Sequence, residues 1–178
     1  MPTNAKTKAR MSAERQARRA EPKTKPTGPK SEAMSALDLL EQDHRQVEEY
    51  FAEYEDLEND KQKGELAKKI CMALTVHTRI EEEIFYPAAR KATKDDELLN
   101  EAAVEHDGAK KLIAEIQKMR PGDDLYDAKV KVLGEQIKHH VEEEETELFP
   151  ECESAKMDLE ALGAQLASRK AALMKQPA

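Results

Sequence analysis

The chain has 178 residues, of which 39% are hydrophobic and none is tryptophan, a size that fits one domain with tails. Aromatic residues make up 4% and charged residues 37%, which disfavours a sheet protein and favours long amphipathic helices. Nine Lys and Arg oppose two Glu in residues 1–30, which leaves 20 basic and 35 acidic residues, a formal charge of −15, on the remainder. An acidic body argues against nucleic acid as the main partner.

The cellular compartment is predicted from features that the sequence lacks. Cys71 and Cys152 are too few for a disulfide framework or for a zinc site built from cysteine. No apolar run approaches the roughly 18 residues that a membrane span needs, so no membrane partner is expected. The N-terminus lacks the apolar segment of a secretory signal, although its basic, acid-poor composition also fits an organellar transit peptide. The prediction is a cytoplasmic protein.

Residues 1–33 are predicted to be a flexible basic arm. They contain Pro22, Pro26 and Pro29, many Lys and Arg, and almost no apolar side chains. Such a segment cannot bury enough apolar surface to offset the loss of chain entropy on folding.

Residues 34–153 have helical periodicity and predict four helices, the first beginning near Ser35. Polar turns are expected around Asn59–Lys61 and at Pro121–Asp124. Short turns imply antiparallel neighbours, so the predicted fold is all-α, an up-down-up-down four-helix bundle. Each helix carries one apolar stripe at spacings of three and four residues. The stripes contain Leu40, His44, Val47, Phe51 and Tyr54; Ile70, Leu74, His77, Glu81 and Phe85; Leu99, Ala102, His106, Ala109, Ile113 and Ile116; and Leu133, Ile137, His140, Glu144 and Leu148.

Residues 154–178 form the last predicted segment, a C-terminal helix and tail. An amphipathic stretch runs from about Lys156 to Met174 and carries Leu159, Leu162 and Leu166. This extra helix either docks on the outside of the bundle or mediates a dimer, so both a monomer and a homodimer are open.

The two halves of the bundle repeat one pattern. A His-x-x-x-Glu-Glu motif begins at His77 and at His140, and in both copies a Pro follows ten residues after the His. A second His, preceded by an acidic residue, lies 33 or 34 residues upstream, at His44 and His106. Each half is therefore predicted to be a helical hairpin with matching histidines. The adjacent His139 is out of register with the Pro and is predicted to face solvent.

This pattern predicts a pair of metal ions. Residues four apart on a helix share a face, so His-x-x-x-Glu directs an imidazole and a carboxylate at one point. Any one of these histidines alone is more often ordinary core packing, but two core-facing Glu and four core-facing His need a compensating cation. Neutral imidazoles and carboxylates suit Fe or Mn, and Zn can use the same ligands. The predicted metal ligands are His44, His77, Glu81, His106, His140 and Glu144.

Other polar residues near the motifs have simpler interpretations. Tyr54 shares the stripe of His44 and either packs in the core or approaches the metals. The remaining glutamates near the two motifs are most simply a solvated acidic face: Glu82, Glu83, Glu142, Glu143, Glu145 and Glu147.

These residues resemble the hemerythrin-like, or HHE cation-binding, family over roughly residues 36–150, and the Glu-Glu-x-x-x-Tyr/Phe-Pro continuation adds to the resemblance. The resemblance implies an antiparallel four-helix bundle around two Fe ions with an oxo or hydroxo bridge. It assigns His44 and His77 to one iron and His106 and His140 to the other, with Glu81 and Glu144 bridging.

The sequence departs from oxygen-carrying hemerythrin at two positions. There the third helix supplies a second His one turn after the first, and here that position is Lys110. There the fourth-helix bridge is an Asp five residues after its His, and here it is Glu144, four residues after His140. One iron would then have fewer protein ligands and a more open coordination sphere, which argues against simple reversible oxygen carriage. The centre looks more like that of the bacterial single-domain relatives, which are associated with oxygen or peroxide sensing and with peroxide breakdown. Lys110 becomes a candidate cation beside bound peroxide, and Glu48 is the symmetric position on the first helix.

The predicted function is that of a non-heme di-iron protein that binds or reacts with O2 or hydrogen peroxide. Catalase-like peroxide breakdown in oxidative-stress defence is the enzymatic version of this prediction. The alternative is an oxygen- or iron-sensing or storage module without turnover. A metal-free structural bundle is disfavoured because unpaired buried charges cost several kcal/mol.

Overall fold

The computed structural model describes residues 34–93 and 96–175, and the arm predicted for residues 1–33 lies outside them. All regular structure in these ranges is helical. The helices are α1 (Ala36–Glu55), α2 (Asp60–Ile80), α3 (Tyr86–Thr93), α4 (Asp96–Ile116), α5 (Tyr126–Glu143), α6 (Phe149–Ser154) and α7 (Leu159–Leu173).

Two single turns of π-helix interrupt longer helices. The first π turn, Glu81–Phe85, joins α2 to α3, and the second π turn, Glu144–Leu148, joins α5 to α6. The described chain therefore forms four long helices and the shorter α7, which confirms the predicted all-α four-helix bundle with an added C-terminal helix.

Local capping explains where the first two helices begin. The Ser35 hydroxyl accepts a hydrogen bond from the backbone N–H of Asp38, whose carboxylate accepts from Ser35 in return. The Asn59 side chain accepts from the backbone N–H groups of Lys61 and Gln62. The predicted start of the first helix near Ser35 is confirmed, and the second helix begins within the predicted polar turn at Asn59–Lys61.

The turn between α4 and α5 depends on one glycine. Gly122 has φ of +88°, a left-handed conformation that costs other residues energy. A Cβ atom at this position would lie 2.9 Å from Oδ2 of Asp60, so that side chain would also have to move. The predicted Pro121–Asp124 turn is thus confirmed.

The core consists of two apolar clusters separated by a polar layer. Along α1, Leu40 belongs to one cluster and Val47 to the other, with His44 between them. Along the second half of the bundle, Ile137 and Leu148 likewise belong to different clusters on either side of His140. Because the apolar packing on both sides fixes the helices, the polar layer in the middle is held rigidly.

Helix α7 docks on the outside of the bundle, one of its two predicted roles. Leu162, Leu166 and Leu173 are buried in the cluster that contains Leu40. Gly163 permits close approach, since a Cβ atom there would lie 2.2 Å from the carbonyl oxygen of Met34. No helix in residues 34–93 or 96–175 is long and apolar enough to cross a membrane.

Candidate metal centre

The polar layer brings all six predicted ligands together. Each is at most 5% exposed. We call His44 and His77 the first half-site and His106 and His140 the second. In each half-site the two Nε2 atoms face one another at 3.1 Å. The matched spacing in the sequence has therefore produced matched pairs in space.

Two carboxylates connect the half-sites. Oε1 of Glu81 lies 3.1 Å from Nε2 of His77, and its Oε2 lies 3.4 Å from Nε2 of His106. Oε2 of Glu144 lies 3.4 Å from Nε2 of His44 and 3.6 Å from Nε2 of His140. Each carboxylate thus touches one imidazole of each half-site, which is the arrangement of a bridging ligand.

The cluster has the properties of a site that needs cations. Both oxygens of Glu81 and Oε2 of Glu144 are buried, and none of the three has a hydrogen-bond partner among the described residues. Orphaned buried carboxylate oxygens are costly unless a positive charge is close. The same atoms fall into two potential metal-holding groups within the described residues, and Glu81 belongs to both. Imidazole nitrogens and carboxylate oxygens are ligands that Fe, Mn and Zn accept.

The π turns begin at the two bridging positions. In the first, the backbone N–H of Tyr86 donates to the carbonyl of Glu81, and in the second Phe149 donates to Glu144. Pro87 and Pro150 lack an N–H group, and a proline ring crowds the carbonyl four residues before it, which in both copies lies inside the π turn. Single π turns are frequent at functional sites.

The Nδ1 atoms of the four histidines face a second set of acidic residues. These are Glu145 at 2.8 Å from His44, Asp43 at 3.5 Å from His77, Glu82 at 3.0 Å from His106 and Glu105 at 2.7 Å from His140. We call these four the outer carboxylates.

Three of the outer carboxylates, Glu145, Glu82 and Glu105, hydrogen-bond to Nδ1 of their histidines. Such a bond holds Nδ1 as the donor and leaves the Nε2 lone pair free for a metal. The expectation that Glu82 and Glu145 belong to a solvated face is wrong, because both bond to histidines across the bundle.

Positive side chains contact the outer carboxylates in turn. Arg45 pairs with Glu145, and Lys170 of α7 pairs with Asp43. Nζ of Lys110 lies 2.5 Å from Oε1 of Glu82, on the Nδ1 side of its histidine, with 42% of its side chain exposed. Lys110 thus pairs with an outer carboxylate and does not face the space between the Nε2 atoms of the histidines.

Tyr86 is a site residue that the sequence interpretation missed. Its hydroxyl donates to Oε1 of Glu144 at 2.9 Å and lies 3.2 Å from Nε2 of His106. The repeat places Phe149 at the equivalent position, and its ring stacks on His44 at a centroid distance of 6.0 Å. The Tyr/Phe-Pro motif marked these two positions. Both side chains reach the centre because of the π turns. On a regular α-helix, Tyr86 would be rotated by about 140° from Glu81, five residues earlier, and Phe149 by the same angle from Glu144.

Burial and charge shift the pKa values in the centre. Burial by itself lowers the pKa of His77, but Glu81, Asp43 and Glu144 outweigh it and raise the pKa to about 10. Burial raises the pKa of Tyr86 well above its usual value, with further contributions from Glu144 and Glu81, so its hydroxyl stays protonated. Burial by itself raises the pKa of Glu144, but the surrounding histidines hold it below its usual range. Metal binding must therefore displace protons that compensate the carboxylates in the metal-free protein.

Three residues near the motifs lie outside the centre. Tyr54 belongs to the apolar cluster that contains Val47 and donates a hydrogen bond to Asp127 at 2.8 Å, so it does not approach the six predicted ligands. Glu48 pairs with Arg45 at the surface. The side chain of His139 is 63% exposed, which confirms that it faces solvent.

The architecture is similar to that of a solved structure. A crystal structure of a hemerythrin HHE cation-binding domain-containing protein from Mycobacterium kansasii superposes with a TM-score of 0.67 at 24% identity, over 78% of this chain and 86% of that one. This likeness supports the fold.

A curated protein of Nostoc sp. (strain PCC 7120 / SAG 25.82 / UTEX 2576), named DNA nickase, is 30% identical over 123 residues. The match covers 68% of this chain, and the chain spans about a third (34%) of that relative. The family described as Hemerythrin HHE cation binding domain matches residues 35–152, a range that contains the whole buried centre. With fold, motif and match in agreement, this chain is a member of the hemerythrin HHE cation-binding family.

Proposed function

We propose that the centre binds two iron ions and that the loaded protein reacts with O2 or hydrogen peroxide, breaking peroxide down. The observation that carries the proposal is the bridging position of Glu81, whose two oxygens lie 3.1 and 3.4 Å from histidines of opposite half-sites. The proposed ligands are the four histidines of the half-sites together with Glu81 and Glu144.

A bound pair of iron ions would supply adjacent redox-active Lewis acids at which O2 or peroxide can react. The outer carboxylates prepare the protein for this chemistry, because Glu145, Glu82 and Glu105 hydrogen-bond to Nδ1 of their histidines and orient these rings. The two apolar clusters exclude bulk water from both sides of the polar layer. Low water content strengthens each electrostatic contact inside the centre.

Tyr86 supports a reactive centre over a purely storing one. Its buried hydroxyl lies between Glu144 and His106 and retains its proton at neutral pH. A positioned proton donor is what the cleavage of an O–O bond requires, since the departing oxygen must be protonated. Tyr86 is therefore the proposed source or relay of that proton.

The alternative is a sensor or store that holds iron or oxygen without turnover. The deep burial of all six ligands, each at most 5% exposed, favours retention of the ions. Turnover of peroxide separates the two functions. DNA nicking is not part of the proposal, since residues 31–178 carry a formal charge of −15, which repels nucleic acid.

The test compares wild type with His140→Ala and with His139→Ala, a matched control next to it in the chain. Aerobically purified proteins are analysed for metal, and near-ultraviolet spectra and oxygen release are recorded on addition of peroxide. We expect about two iron ions per chain and peroxide consumption in wild type and in His139→Ala, and loss of both in His140→Ala.

Each other outcome has a definite meaning. Two irons without peroxide consumption would favour the sensor or store. A folded wild-type protein without stoichiometric metal would contradict the metal centre itself. Equal losses in both histidine variants would remove the assignment of His140 as a ligand.

A further inference from the structure

Helix α7 lies beyond the part of the chain that the family match covers, which ends at residue 152. Its last turns nevertheless reach the surroundings of the metal centre. Lys170 pairs with Asp43, and Oδ2 of Asp43 lies 3.5 Å from Nδ1 of His77. A chain of contacts thus connects an added helix to one imidazole of the first half-site.

Asp43 differs from the other outer carboxylates in its need for a cation. Its side chain is 7% exposed, against 21% for Glu105 and 27% for Glu145. Its contact with His77 is also the longest of the four, at 3.5 Å compared with 2.7 Å between Glu105 and His140. A buried carboxylate with one weak contact depends on its remaining partner, and that partner is Lys170.

Within residues 34–93 and 96–175, no lysine or arginine cation pairs with Glu105, the equivalent residue of the second half-site. His139 lies 3.8 Å from Glu105, and 63% of its side chain is exposed. Glu105 does not require one, because it makes a short hydrogen bond to His140 and is partly solvated. The dependence on α7 is therefore specific to the first half-site.

We propose that Lys170 is a positioning residue that holds Asp43 against His77, so that α7 sets the metal affinity of the first half-site. This inference rests on the proposed function, because it concerns how tightly that centre binds its ions. Without the ammonium group, Asp43 would turn toward water, and Nδ1 of His77 would lose the carboxylate that lies 3.5 Å from it. Loss of such an outer partner weakens metal binding by about 10–100-fold in known sites.

The chain offers a matched control one residue away. Arg169 also fastens α7 to the bundle, through two hydrogen bonds to Glu83 of 2.5 and 3.0 Å. Glu83 lies on the first π turn, but its described contacts are with Arg169 and Arg79 and not with any of the six ligands. Arg169→Met therefore tests docking of α7 without touching the connection to His77.

The experiment titrates metal-free wild type, Lys170→Met, Lys170→Arg, Arg169→Met and Asp43→Asn with Co(II). Calorimetry gives the two binding constants, and the visible spectrum reports the coordination of each ion. A cavity of about 300 Å³ between α1, α2 and α7 borders Asp43 and Lys170, so both Met and Arg have room at position 170.

We expect Lys170→Met to weaken one of the two constants about tenfold and to leave the other within about twofold. Lys170→Arg should restore most of the loss, and Arg169→Met should leave both constants unchanged. Asp43→Asn should weaken the same constant, and adding Lys170→Met to it should have no further effect.

Two binding constants that are the same in wild type, Lys170→Met and Asp43→Asn would overturn the inference and leave the proposed function intact. An equal loss in Arg169→Met would show that docking of α7 as a whole is responsible, which also overturns it. Asp43→Asn changes no residue of α7, so its result stands even if Lys170→Met folds poorly. A wild-type protein that binds no Co(II) would overturn both proposals.

Discussion

The two half-sites come from matching hairpins, yet their surroundings differ in one hydroxyl group. In the first half-site the ring of Phe149 lies parallel to His44, at an interplanar angle of 8°, and offers no polar group. In the second, the hydroxyl of Tyr86 lies 3.2 Å from Nε2 of His106 and bonds to Glu144. The repeat therefore preserves the ligands while it changes the group that can donate a proton.

A second difference concerns charge outside the centre. Asp43 in the first half-site is paired with the ammonium group of Lys170, whereas no lysine or arginine among the described residues pairs with Glu105 in the second. The first half-site thus has an additional ion pair behind one histidine, and the second has an additional hydroxyl group beside its histidines. The comparison teaches that an internal repeat can supply matching histidines and glutamates while their surroundings differ.

The largest expected effect is the loss of the link between the half-sites. Glu81→Gln removes the negative charge that lies between the two half-sites. We expect both ions to bind more than about 100-fold more weakly, a larger loss than the roughly 10–100-fold caused by removing a partner of a ligand. Glu83→Gln, two residues on, is the control and should bind normally. Metal analysis after dialysis measures the effect. Full retention of one ion in Glu81→Gln would show that its carboxylate serves a single half-site.

The next largest effect is expected from a substitution that removes the hydroxyl group by which the two half-sites differ. Tyr86→Phe makes the second half-site like the first, and we expect peroxide breakdown to slow about 100-fold with both ions retained, because a positioned proton donor is lost. Oxygen release at saturating peroxide measures it. Phe149→Tyr adds a hydroxyl to the first half-site and should not restore the rate in the Tyr86→Phe background. Equal rates in wild type and Tyr86→Phe would limit the hydroxyl to holding Glu144.

A pH dependence should distinguish the loaded protein from the metal-free one. Burial alone would lower the pKa of His77, but its neighbouring carboxylates raise it from 6.5 to about 10 in the folded metal-free protein. A raised pKa contributes stability that is complete below pH 6.5 and is lost as pH rises toward 10. Metal binding requires the proton to leave, so the stabilisation by metal changes in the opposite direction.

The gap in unfolding free energy between the two forms should therefore widen with pH, by up to about 1.4 kcal/mol per unit for one displaced proton. Calorimetric unfolding of both forms between about pH 6.5 and pH 9 checks this. His77→Ala is the control, in which most of the slope should vanish. A gap that stays constant in wild type would contradict the displaced proton.

The smallest effects are expected at the exposed cations that pair with outer carboxylates. The side chains of Lys110 and Arg45 are 42% and 52% exposed, so solvent and salt screen their charges. Lys110→Met and Arg45→Met should each weaken metal binding by no more than about threefold, and by less in high salt. A Co(II) titration at two salt concentrations measures both. A loss as large as that expected for Lys170→Met would contradict the distinction between exposed and buried partners.

The sequence alone predicted the fold and the six side chains that the structure brings into one buried layer. The apolar stripes repeat at helical spacing, and the His-x-x-x-Glu motif keeps its two side chains on one face whatever the helix packs against. The choice of His140 over His139 also followed from register within the repeat, and the exposure of His139 agrees with it. These are local properties, so they could be predicted without knowing how the helices cross.

The surroundings of the ligands were decided by tertiary structure. The partner of His44 at Nδ1 is 101 residues away in the chain, and the partners of His106 and His140 are 24 and 35 residues away. Which acidic residue reaches which imidazole depends on the rotation and offset of packed helices, and sequence spacing does not define either. The π turns move Tyr86 and Phe149 toward the centre, and docking of α7 brings Lys170 to Asp43. Periodicity fixes what one helix presents, whereas contacts between helices exist only once the bundle has closed.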